Sequence, residues 1–196
     1  MCCLIDISTA QAGPADWPRS MSDFKLPFNG VYNNYWTGEV WQIANAYGTG
    51  KHTCRYASCY PNAGYYSIDL IRYDGTTVGG AVLAPARGIV RAASWMNGYG
   101  WYVIMDHGNG YTSIVAHLKC DSTRFVHVGD DLLQGTLIGV AGSSETNVAH
   151  IHFSVWRNNV SVPLDGISGG ATIVKNGLYC SGNQYVRAPT GALNCP

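Results

Sequence analysis

Trp101-Tyr102-Val103-Ile104-Met105-Asp106-His107-Gly108-Asn109-Gly110-Tyr111-Thr112-Ser113-Ile114-Val115-Ala116-His117 is the stretch that decides the fold. Its two arms, Trp101–His107 and Tyr111–His117, are rich in β-branched and aromatic residues, which suit a pleated, packed surface. The His107-Gly108-Asn109-Gly110 junction carries the glycines and asparagine of a tight turn. The whole reads as an antiparallel hairpin.

Outward from this hairpin the same kind of segment recurs at short intervals. Glu39–Ala46, Tyr66–Tyr73, Gly80–Leu83, Gly88–Ala93, Thr136–Ala141 and His150–Arg157 all read as strands. Turn residues separate them at Asp74-Gly75, Asn97-Gly98 and Gly142-Ser143. No stretch keeps a helical period over ten residues. The expectation is an all-β protein, mainly antiparallel sheet arranged as an open barrel or sandwich, with long loops and little helix.

Composition narrows the class. The chain of 196 residues fits one domain with an added flap, and 46% hydrophobic residues supply a core. Charged residues are only 12% while Gly reaches 24, a balance that suits an extracellular β protein, secreted or periplasmic. Net charge is zero and no Lys/Arg cluster exists, which excludes the electrostatic footprint of a nucleic-acid partner. No apolar run is long enough for a membrane span. Met1–Ile5 is apolar and Ala10-Gln11-Ala12 resembles a signal-peptidase site, so residues 1–25 read as an irregular segment or signal-peptide remnant. The seven cysteines include two close pairs, Cys54/Cys59 and Cys180/Cys195, that suggest local disulfides in an oxidising compartment. Cys120 has no nearby partner; Cys2 or Cys3 is in reach, or the thiol is free.

Six histidines remain to be explained. His150 and His152 stand two apart on a strand, so alternation puts both on one face, with Ile151 and Phe153 turned to an apolar layer. Two adjacent imidazoles suggest a metal or catalysis, with a surface pair as the alternative. His117 ends a strand that joins the same face if it is a sheet neighbour. Asp69 lies inside the apolar run Ser67-Ile68-Asp69-Leu70, where a carboxylate needs a partner, and a divalent metal is one. A turn-capping role is the plainer reading. His107 reads as a hydrogen-bonded turn residue, Asp106 as a turn cap, and His127 as exposed.

Three blocks carry a resemblance. Val103-Ile104-Met105-Asp106-His107-Gly108-Asn109-Gly110-Tyr111 runs into Val115-Ala116-His117-Leu118. Val126-His127-Val128-Gly129-Asp130 is followed by Gly135 and Ile138-Gly139, and Ala149-His150-Ile151-His152-Phe153 completes the set. Together they resemble the lysostaphin-type zinc metallopeptidases, closest to the β-lytic and staphylolytic branch. The likeness covers about residues 26–165, the expected peptidase domain, and leaves 166–196 as a C-terminal extension closed by a disulfide.

The resemblance implies a secreted, monomeric zinc metalloendopeptidase. It implies that Asp69 and His152 are zinc ligands, and that His117 and His150 handle protons at the scissile carbonyl. Most members place the third ligand, a His, four residues before the Asp; here that position is Tyr65. The β-lytic branch takes its His from further upstream, after a Gly-rich turn. Gly48-Thr49-Gly50-Lys51-His52 fits that pattern, so His52, 17 residues before Asp69, is the expected third ligand. Tyr65 and Tyr66 are candidates to contact substrate or donate to the oxyanion, with groove wall as the plainer role. The implied substrate is bacterial peptidoglycan peptide, its stems or its Gly- or D-Ala-containing cross-bridges.

Two rivals make different demands. An inactive family member, binding peptidoglycan or regulating another hydrolase, would leave His52 far from Asp69. A carbohydrate-binding β-domain would array Trp36, Trp41, Trp95 and Trp101 as a flat platform.

Overall fold

The hairpin forms where its residues place it. β5 (Gly100–Asp106) and β6 (Tyr111–Leu118) pair antiparallel, with Met105 opposite Ser113 and Ile104 opposite Ile114. The turn closes through Tyr111 N–H donating to the Gly108 carbonyl at 2.8 Å and His107 N–H donating to the Tyr111 carbonyl at 2.9 Å. The computed structural model describes residues 17–30, 39–60, 64–167 and 172–183.

Around the hairpin the remaining strands are β1 (Trp41–Asn45), β2 (Ile68–Arg72), β3 (Ala81–Leu83), β4 (Gly88–Met96), β7 (Asp131–Leu132), β8 (Leu137–Val140), β9 (Ile151–Arg157), β10 (Val160–Ser161) and β11 (Leu178–Tyr179). The main sheet runs β11-β1-β2-β9-β6-β5-β4-β7, with β10 added on β9, and every pairing is antiparallel. β3 and β8 form a separate two-stranded sheet. The architecture is therefore the expected antiparallel all-β one, and among the described residues it comprises two sheets and no closed barrel. Helix is scarce among the described residues, with 3-10 turns at Met21–Asp23, Ala57–Cys59 and Ser122–Arg124.

The central strands are apolar on both faces because both faces are covered. Val115, Phe153, Val155, Ile68 and Leu70 belong to the main core with Phe24, Phe28 and Trp41. Ile114, Ala116 and Trp156 face a smaller cluster with Tyr99, Tyr102 and Ile104. This explains why Ile114–Leu118 reads as a continuous apolar run rather than an alternating one. Within the segment read as irregular, residues 1–16 lie outside the described residues. Phe24, by contrast, is fully buried and meets the rings of His107 and Tyr111 at 5.0 and 5.5 Å.

The expectations for His107, Asp106 and His127 hold. His107 is fully buried, its Nδ1 donating to the Arg87 carbonyl and its Nε2 accepting from Ser113 Oγ, both at 2.7 Å. Asp106 Oδ1 caps the turn by accepting from Gly108 N–H at 2.8 Å. His127 is exposed. Cys54 and Cys59 are joined as a disulfide, and Cys120 is disulfide-bonded rather than a free thiol. Cys2, Cys3 and Cys195 lie outside the described residues, and with them the Cys180–Cys195 pairing. The tryptophan platform does not form: Trp41 is fully buried, Trp95 and Trp101 meet edge to face at 78°, and Trp36 lies outside the described residues.

Candidate metal centre

Strand alternation builds the site on the sheet face away from the main core. Ile151 and Phe153 are fully buried in that core, so His150 and His152 turn the other way. The order β2-β9-β6 then sets His152 directly between Asp69 and Ala116 in register. Asp69 and His152 are cross-strand neighbours, the separation at which side chains interact.

His52 completes the cluster from the loop after β1. His52 Nε2 lies 3.2 Å from Asp69 Oδ1 and 3.3 Å from His152 Nδ1, and His152 Nδ1 lies 3.1 Å from Asp69 Oδ1. All three residues are buried. The proximity contradicts the rival reading in which His52 stands far from Asp69.

This donor set suits zinc. Two imidazoles and one carboxylate are ligands that zinc accepts, and three protein ligands with an open position describe a catalytic rather than a structural site. Tetrahedral bonds of about 2.1 Å would hold ligand atoms roughly 3.4 Å apart, close to the distances found. His152 Nε2 is buried without a hydrogen-bond partner, so the ring's polar engagement is toward the triad alone. Such an arrangement of buried polar groups is costly unless something uses it.

The electrostatics point the same way. Burial pushes the Asp69 carboxyl up, but hydrogen bonds from His152 and His52 more than offset it and hold the group well below the usual carboxylate range. Burial pushes His152 down, against the opposing pull of Asp69. An ionised carboxylate beside a neutral imidazole is the state that metal binding requires.

His117 and His150 stand beside the triad. Their rings are 4.5 Å apart, the His117 ring is 6.1 Å from that of His152, and His150 Nε2 is 3.6 Å from Asp69 Oδ1. His117 Nδ1 donates to the Ser144 carbonyl at 2.8 Å, and His150 Nδ1 donates to the Val148 carbonyl at 2.8 Å. A carbonyl only accepts, so each Nδ1 carries a proton, and proton exchange at either ring falls to its Nε2. Burial, then the nearby His150, push His117 down to about 4. It is therefore neutral near pH 7.

His117 does not reach the site by alternation alone. Ala116 is the residue opposite His152, so regular pleating would send His117 to the other face. A break in the β5–β6 register and a left-handed backbone at His117, φ +60°, bring its ring among the other histidines. A non-glycine residue held there is strained, and such strain concentrates at functional sites.

Two residues of the site were not anticipated. Asn45 Nδ2 donates to Asp69 Oδ2 at 2.8 Å and fixes the carboxylate oxygen that faces away from His52 and His152. Its only sequence signal is an Asn at the end of a strand. Tyr99, in the β4–β5 turn, lays its ring 5.1 Å from that of His152 and 6.4 Å from that of His117. Tyr65 and Tyr66 meet edge to face at 4.9 Å, and Tyr66 meets Tyr47 in the same way at 5.2 Å.

The chain is similar to several solved structures. The chain resembles the SpoIIQ–SpoIIIAH pore-forming complex at 28% identity, over 51% of this chain and 63% of that one, with a TM-score of 0.45. A zinc-containing peptidase from Vibrio cholerae matches at 20% identity, over 71% and 40%, with a TM-score of 0.49. Pseudoalterin, an M23 metalloprotease from the deep sea, matches at 21% identity, over 72% and 75%, with a TM-score of 0.50. The chain thus spans less than two thirds of the first two proteins. No curated protein sequence matches it. Residues 65–164 match the profile of peptidase family M23, a segment that includes Asp69, His117, His150 and His152. This segment is more than half of the chain, and the protein belongs to peptidase family M23.

Proposed function

We propose that the protein is a secreted zinc metalloendopeptidase that hydrolyses peptide bonds in bacterial peptidoglycan, in stems or cross-bridges containing Gly or D-Ala. The observation that supports it best is the pair of histidines, His117 and His150, each anchored at Nδ1 by a backbone carbonyl beside a buried His52–Asp69–His152 triad. The upstream position of His52 after a Gly-rich turn supports kinship with the β-lytic branch. A low charge content and the Cys54–Cys59 disulfide support an extracellular setting.

His52, Asp69 and His152 would hold the zinc, which when bound supplies Lewis acidity at the scissile carbonyl and makes water a nucleophile near neutral pH. The chain's own residues do the rest. The Nε2 lone pair of His117 or His150 takes the proton of the attacking water, since no glutamate stands in the site for that task. The protonated imidazole then returns that proton to the leaving amine, and the other histidine, when it carries a proton on Nε2 as well as Nδ1, donates from Nε2 to the oxyanion. The Ser144 and Val148 carbonyls keep each ring in the tautomer that this exchange needs. Tyr65 and Tyr66 contribute to the groove that holds an extended peptide.

Digestion of purified cell walls, read by mass spectrometry of the new amino termini, tests the proposal. The wild type should release peptides with free N-terminal Gly or Ala. His117→Ala and His150→Ala should each keep zinc and lose about 100-fold or more in kcat. Zinc-loaded protein that leaves wall peptides intact would overturn it.

A further inference from the structure

The third ligand lies outside the segment that matches the family. That match begins at Tyr65, whereas His52 comes from the loop ahead of it. A ligand on a loose loop would have to be ordered when the metal binds, at a cost in affinity. The loop is not loose.

Tyr65 grips it on both sides of His52. The Tyr65 carbonyl accepts from Gly48 N–H at 2.9 Å, and Tyr65 N–H donates to the Cys54 carbonyl at 2.6 Å. Its ring lies over Gly48, which adopts φ +65° and has no room for a side chain: a Cβ there would stand 2.8 Å from a ring carbon. The Arg55 guanidinium stacks on the same ring, 3.6 Å from its centroid. Two residues past His52, the Cys54–Cys59 disulfide closes the next turn, and Cys54 bridges to Gly64. His52 itself is aimed by its N–H on the Thr49 carbonyl at 2.9 Å and its Nδ1 near the Ala46 carbonyl at 3.4 Å.

We propose that Tyr65, Gly48 and the Cys54–Cys59 disulfide form a clamp that preorganises His52 for the metal. Tyr65 is a positioning residue here. It occupies the place four residues before Asp69 and serves the ligand loop through its backbone and ring, not as a ligand. This inference rests on the His52–Asp69–His152 triad and is independent of which wall peptide is cut.

The test is the zinc dissociation constant of the full chain, measured by competition with a chelating dye. Gly48→Ala strains the clamp at one end, and the double substitution Cys54→Ser/Cys59→Ser opens it at the other. Neither touches a ligand. Each should weaken zinc binding by about ten-fold or more, the size typical of groups that orient metal ligands. Gly75→Ala is the control: it imposes the same backbone strain at φ +79° in an open turn remote from the site, and should stay within about two-fold of wild type. Wild-type affinity in either clamp variant overturns the proposal, and so does an equal loss in Gly75→Ala, which would make the effect global. His52→Ala separates the underlying claim: wild-type zinc affinity in that variant would remove His52 from the triad, whatever the clamp variants do.

Discussion

Asn45→Leu should cost the protein most of its hold on zinc without touching a ligand. Asn45 Nδ2 donates to Asp69 Oδ2 at 2.8 Å, and Asp69 is buried. A hydrogen bond to a charged group is worth about 1.5–3 kcal/mol, and losing the donor leaves a buried carboxylate oxygen unpaired. Leu is apolar and bulkier than Asn, so water has little room to replace the amide. At 1.4 kcal/mol per factor of ten, zinc affinity should fall roughly 10- to 100-fold, the range found when outer-shell partners are removed. Chelator competition reads this directly, with circular dichroism confirming that the sheet persists. Asn45→Leu binding zinc within about three-fold of wild type would refute the claim that this contact holds the carboxylate in its ligating pose.

Two other expectations concern stability. His117 sits at φ +60°, so His117→Gly should be more stable than His117→Ala by about 1 kcal/mol in urea unfolding; an Ala variant at least as stable as Gly would remove the strain argument. His107 is pushed down by burial to about 4, from 6.5 when exposed. Below pH 6.5 the unfolded chain binds this proton and the folded one does not, so its contribution is full above about 6.5 and is lost as pH falls toward 4. The loss between pH 6.5 and 4.5 amounts to roughly 2–3 kcal/mol. His107→Gln should flatten the stability profile in that window, and an unchanged slope would place the acid sensitivity elsewhere.

The parts of this protein that were legible in its sequence are those governed by period and local turn chemistry. The His107–Gly110 turn, the strand runs and the facing of His150 and His152 all follow from short-range rules, and the structure places them as those rules require. Asp69 stood out because a carboxylate in an apolar strand needs a partner. What stayed hidden depends on long-range register. Asn45 meets Asp69 because β1 pairs with β2 across a bulge between Ile43 and Asn45, and nothing in the local sequence announces that pairing. Tyr99 looks like an ordinary turn tyrosine until the hairpin lays it over His152. The left-handed backbone at His117 is invisible to alternation, which by itself points that ring the wrong way. β7, β10 and β11 are too short to show any period.

Anomalous diffraction at the zinc edge, from crystals of the purified protein, addresses the metal assignment most directly. One peak per chain is expected, bonded by His52 Nε2, Asp69 Oδ1 and His152 Nδ1. No peak, or a peak held by a set that leaves out His52, would contradict it.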